Sequence, residues 1–195
     1  MIKNKKPKFK KGGFTLIEML VAMAIFSTVM GIITGIFITG IRQQKMALDS
    51  QVVLDQTSYA LEYMSRALRF VKKQLVGDPV CLSQSGLNVE TTRGGSGIKF
   101  INHLQGDDCQ EFFLESNQIK YTREIGKTPP EGKTLPLTSV KLEVASLKFN
   151  LAGESQADDL QPRITVFSEI KSAGASGQSQ KIQTSISQRN LDVIY

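Results

Sequence analysis

Three regimes of hydrophobic patterning divide the chain. Residues 14–41 read FTLIEMLVAMAIFSTVMGIITGIFITGI, and 19 of these 28 positions are strongly apolar. Met19 to Ile41 is a run of 23 residues without an ionisable side chain, about 35 Å as a helix at ~1.5 Å per residue. A bilayer core of ~30 Å needs about 20 such residues, so the run can span one. Beyond it the pattern is that of a one-sided helix. Ala47, Ser50, Leu54, Thr57, Leu61, Met64, Leu68, Val71 and Leu75 recur at alternating spacings of three and four, with Arg42, Gln44, Asp55, Glu62, Arg66, Arg69 and Lys73 off the stripe. Gly77-Asp78-Pro79 supplies a stop. The spacing predicts one helix over 14–76, about 95 Å long at ~1.5 Å per residue. Its amphipathic half presses on the protein's own sheet. A free coiled-coil dimer is the alternative, weakened by Ser50 and Thr57 on the stripe. Gly31, Gly35 and Gly40 in the apolar half permit close helix packing or local unwinding.

From residue 80 the period falls to two. Candidate strands are Leu87–Thr91, Gly97–Ile101, Glu111–Glu115, Gln118–Arg123, Val140–Leu151, Arg163–Ile170, Lys181–Gln188 and Leu191–Tyr195. In the longest, Val140, Leu142 and Val144 share one face, then Leu147, Phe149 and Leu151 resume after a parity slip at Ala145-Ser146, which predicts a bulge. Turn residues at 94–97, Ser116-Asn117, 128–132 and 173–177 separate the strands. The fold class is α+β, a long N-terminal helix packed on a mostly antiparallel sheet. Four segments follow: a leader over 1–13, an apolar helix over 14–41, its amphipathic continuation over 42–76, and a β-rich head over 77–195.

Charge changes the picture only at the N-terminus. The chain carries 24 Lys plus Arg against 18 Asp plus Glu, a net +6. Lys3, Lys5, Lys6, Lys8, Lys10 and Lys11 account for all of it, leaving 18 basic and 18 acidic side chains over 14–195. The basic balance belongs to the leader, so no nucleic-acid partner is implied. Six lysines before the apolar run, against Arg42 and Lys45 after it, keep the N-terminus cytoplasmic and put the head outside that membrane. An ordinary secretory signal is the alternative, but its apolar core is about 7–15 residues, shorter than this run. One His and two Cys leave little for a metal site or a catalytic triad. The expectation is a non-enzyme without a cofactor or metal.

Glu18 is the one charge inside the apolar segment. A lone carboxylate there costs about 2.5–3.5 kcal/mol near a membrane centre and less near its surface, and such residues usually have a partner. Reaching back to headgroups or to Lys11 is the plain alternative. The local sequence Gly12-Gly13-Phe14-Thr15-Leu16-Ile17-Glu18-Met19-Leu20 resembles the processing signature of type IV prepilins and type II secretion pseudopilins. The resemblance implies that a prepilin peptidase cuts between Gly13 and Phe14, then methylates the new amino group of Phe14. Cutting after Gly12 would put Glu18 one place too late. It also implies that Glu18, one helical turn from Phe14, pairs with the N-terminal amine of a neighbouring subunit as a filament grows. Membrane lipid and other pilins or pseudopilins are then the partners, and the bacterial inner membrane is the location.

Leu135-Pro136-Leu137-Thr138-Ser139, the strand end Leu147-Lys148-Phe149 and the late Gln183–Arg189 segment resemble J-type minor pseudopilins and W-type minor pilins. Cys81 and Cys109 lie 28 residues apart in the part assigned outside the cytoplasm, which reads first as a disulfide and otherwise as two buried thiols. A zinc site from His103, Cys81 and Cys109 lacks paired ligand spacing. Asp107-Asp108 and Asp158-Asp159 match no calcium loop and read as solvated charge. Arg189 reads as a cation at a strand end. A structural filament subunit is therefore the leading expectation, and a single-pass anchored binding module that keeps its leader is the alternative.

Overall fold

The computed structural model describes residues 12–76, 80–124, 133–153, 161–173 and 179–189. The expected strand at Leu191–Tyr195, the stop at 77–79, the turn at 128–132, Asp158-Asp159 and nearly all of the leader lie outside them. The chain divides into two compact units, Met1–Met46 and Ala47–Tyr195. Among the described residues one α-helix, α1 (Leu16–Arg69), precedes nine strands: β1 (Val71–Lys72), β2 (Val89–Thr92), β3 (Gly97–Asn102), β4 (Asp108–Glu115), β5 (Gln118–Glu124), β6 (Lys133–Pro136), β7 (Leu142–Ala152), β8 (Arg163–Ser172) and β9 (Gln180–Ser187). The α+β architecture is as the patterning predicts, with a long helix packed on antiparallel strands. The single sheet it pictured is in fact two, one of six strands and one of three.

In the larger sheet β1 and β2 share one edge of β3, and β4, β5 and β6 follow on the other side. The smaller sheet runs β7-β8-β9. Ser116 and Asn117 both take positive φ, 52° and 58°, the backbone of a two-residue hairpin turn that matches strand twist. At that turn the Asn117 carbonyl accepts the Val144 N–H at 2.9 Å, which joins the tip of one sheet to a strand of the other. The β7–β8 register slips between Val144 and Ser146, where the parity of apolar positions also slips. The expected Val140 start is wrong: Val140 is exposed and β7 opens at Leu142. Leu135-Pro136 belongs to β6, a short edge strand absent from the sequence reading, and proline is tolerated at such an edge.

The helix ends seven residues before the expected 76. Val71 and Lys72 pair with Asn102 and Ile101 instead. The carbonyls left over at the helix end find donors: Ala67 takes the Phe70 N–H, Arg69 that of Arg189 and Phe70 that of His103. The buried helix face is Val53, Thr57, Ala60, Met64, Ala67 and Leu68. Thr57, Met64 and Leu68 of the expected stripe are buried, but Val53, Ala60 and Ala67 complete the face, so that Leu54 is exposed and Leu61 only half-buried. The sheets supply the bulk, through Phe100, Phe112 and Phe149, and small Ala60 and Ala67 on the facing helix suit a core of fixed volume. Met64, Leu68, Ile98, Phe112, Leu147, Val166 and Ile186 belong to one continuous core fed by both sheets.

Candidate processing site

Residues Gly12 to Thr15 are not helical, and α1 begins at Leu16. Phe14 is 79% exposed. A Cβ built on Gly13 meets nothing within 4 Å, so the chain's own packing does not require glycine there. Any requirement for Gly13 has to come from outside this chain. Phe14 precedes the first helical turn, so the expected arrangement of Phe14 and Glu18 one turn apart on a helix is corrected: the helix starts two residues later.

Thr15 sits at the start of that helix and the sequence reading overlooked it. Its Oγ1 accepts the Glu18 N–H at 3.3 Å, and Glu18 Oε2 accepts the Thr15 N–H at 3.3 Å. These reciprocal bonds make a capping box, which gives the Thr15 N–H an acceptor and adds to the bond that the Glu18 N–H donates to the Thr15 carbonyl at 3.1 Å. The Thr-x-x-Glu spacing over 15–18 is the signal that finds it. The negative carboxylate also lies at the positive end of the helix dipole. Glu18 is thus engaged at its own helix start.

The apolar segment that follows is exposed throughout, including Leu20, Ile25, Phe26, Ile33, Phe37 and Ile41. By length and composition α1 can cross a membrane. Its hydroxyls are turned inward on the helix: Ser27, Thr28, Thr34 and Thr39 donate to the carbonyls of Met23, Ile25, Met30 and Gly35 at 2.7–2.9 Å. That leaves no hydroxyl hydrogen of these four unmatched in an apolar surround. Gly31, Gly35 and Gly40 are helical.

Elsewhere, Cys81 and Cys109 are joined as a disulfide with Cα atoms 5.6 Å apart. His103 Nδ1 lies 2.8 Å from Asp107 Oδ1, and Lys72 Nζ lies 2.9 Å from Asp107 Oδ2. The His103 hydrogen bond first and that of Lys72 second hold the Asp107 carboxyl below the usual carboxylate range. Asp108 pairs with Arg123. Among the described residues no group of three His, Cys, Asp or Glu comes together as a ligand set. Arg189 lies 5.6 Å over the Phe70 ring, beyond the end of β9.

With this geometry established, residues 8–34 match the family described as the prokaryotic N-terminal methylation motif. The chain carries that motif. The match covers 27 of the 195 residues and contains Gly12, Gly13, Phe14, the capping box and the apolar run as far as Thr34. It supports a precursor of the type IV pilin or pseudopilin kind, a structural subunit rather than an enzyme, anchored in a membrane. It also implies processing by a prepilin peptidase and assembly with other pilins in general. No curated protein matches the chain.

Proposed function

We propose that this chain is the precursor of a minor pilin or pseudopilin. A prepilin peptidase cuts the Gly13–Phe14 bond on the cytoplasmic side and methylates the Phe14 amine. The mature subunit, held in the bacterial inner membrane by α1 with its head outside the cytoplasm, then joins a type IV pilus or a type II secretion pseudopilus. Glu18 pairs there with the Phe14 amine of a neighbour, and register is what the pairing provides. The observation that carries this reading is the methylation motif over 8–34, set where an exposed, non-helical Gly13–Phe14 bond directly precedes a capped apolar helix. The short head segments favour a J-type or W-type minor subunit.

Co-expression with a prepilin peptidase tests it. Wild type should shorten by about 1.5 kDa, roughly 13 residues at ~110 Da each, and N-terminal sequencing should begin at methylated Phe14. Gly13→Val should stay at full length. Since a side chain at 13 meets nothing within the protein, a block would reflect the peptidase cleft and not misfolding. Equal shortening of the variant and wild type, or a mature chain that retains its leader, would favour the anchored binding module instead.

A further inference from the structure

Gln74 is a buried carboxamide that neither the processing motif nor the sheet ladders use. It follows β1 and is 4% exposed. Its Oε1 accepts the Cys81 N–H at 3.1 Å and the Leu82 N–H beside it. Its own N–H donates to the Leu87 carbonyl at 3.0 Å, and its carbonyl accepts the Gly86 N–H at 2.7 Å. One residue fastens the chain at four points between 81 and 87. The Ser83 N–H is held separately by Glu90 at 2.9 Å. Cys81 and Leu82 also pack with Ile101, Leu87 and Cys109 in a small core of their own. None of these hydrogen bonds is made by a cysteine sulfur.

We propose that Gln74 is a positioning residue for disulfide formation. Its carboxamide holds the Cys81 backbone beside β4 in the reduced chain, so oxidation locks a segment already in place. The idea rests on the pairing of Cys81 with Cys109. Two thiols 28 residues apart meet rarely in a floppy loop, because closing it costs chain entropy. Two amide hydrogen bonds to one fixed oxygen remove much of that freedom before any covalent step. The oxidation itself is ordinary exchange. One protein thiolate attacks glutathione disulfide and expels a glutathione thiolate, and the second protein thiolate then displaces the other glutathione. The protein loses two protons and two electrons, and one glutathione disulfide becomes two glutathione thiols.

The test uses the full chain in detergent micelles, equilibrated in glutathione buffers and quantified by thiol alkylation and mass spectrometry. Gln74→Leu keeps size and burial but has no acceptor. It should lower the equilibrium constant for the disulfide about 10-fold or more, because the reduced segment is then free to leave β4 while the oxidised one keeps two buried amides without an acceptor. In a Cys81→Ala/Cys109→Ala chain with Gln74 intact, the amide hydrogens of residue 81 and Leu82 should remain protected from exchange. Adding Gln74→Leu should release both and leave the β7–β8 amides protected. A Gln74→Leu constant within about threefold of wild type overturns the proposal, and so does rapid exchange at both amides in the cysteine-free chain. If wild type forms no bond in oxidising buffer, the Cys81–Cys109 pairing itself fails, and the proposal with it.

Discussion

At Glu18 the shape of the side chain and its charge serve different ends. The shape closes the capping box with Thr15, where an oxygen accepts the Thr15 N–H. The charge is what a neighbour's ammonium needs, and an amine buried without a counter-charge is costly. Glu18→Gln separates the two, because glutamine also serves in a capping box. The variant should insert at least as well as wild type, since a charge leaves the apolar segment, and should be shortened at the wild-type rate. Its crosslinking to other pilin-like subunits in membranes should fall strongly at matched expression. Undiminished crosslinking with full function would leave Glu18 as a helix cap and nothing more. Of the residues at this site, Gly13, Phe14 and Glu18 were legible as a motif. Thr15 was legible too, in its spacing to Glu18, but starting the helix at Phe14 conceals it.

Elements are read less evenly than residues, because some of their limits are set far away in the chain. The bulge in β7 shows in the sequence as a slip of parity, a local signature. The end of α1 does not. Nothing in Phe70-Val71-Lys72 stops a helix; the pairing of β1 with β3, some thirty residues on, does so. The same long-range logic governs Tyr63, an off-stripe position that proves half-buried against the sheet. Its ring stands 6.0 Å from Phe112 and 5.4 Å from Tyr121. Burial first, and then the hydrogen bond with Tyr121, push the Tyr63 phenol up to about 12. The folded phenol therefore resists ionisation more than the unfolded one, whose ordinary value is 10.0. The stability this gives is fully present below pH 10 and is lost as pH rises towards 12. Between those limits wild type should lose about 1–2 kcal/mol more than Tyr63→Phe, allowing for partial solvent screening. Denaturant unfolding of both chains across that pH range measures it. Parallel pH profiles would mean that the phenol is not held by α1 and β5 as described.

On the scale of the whole molecule, Met1–Met46 and Ala47–Tyr195 are two compact units, and under the proposed function processing of the first is expected not to depend on folding of the second. The patterning foresaw the classes of element and their order, but not that the strands form two sheets. The partition follows from which strands pair, and the two sheets are then joined by contacts such as the Val144 N–H to the Asn117 carbonyl, between residues 27 apart in sequence; no local period encodes either. What both sheets share is the core around Met64, a side chain with no exposed surface. Met64→Ala should leave a cavity there and destabilise the head by about 2–5 kcal/mol. At about 2–4 °C per kcal/mol for a domain of this size, Tm should drop by several degrees at least. The capping box and the Gly13–Phe14 bond lie in the other unit and keep their own hydrogen bonds. A prepilin peptidase should therefore shorten Met64→Ala at the wild-type rate at a temperature where the head remains folded. Calorimetry of the full chain in micelles and a cleavage time course on the same preparation give both numbers. A cleavage rate that falls in step with Tm would show that the peptidase depends on the head, and the separation of the two units would not hold.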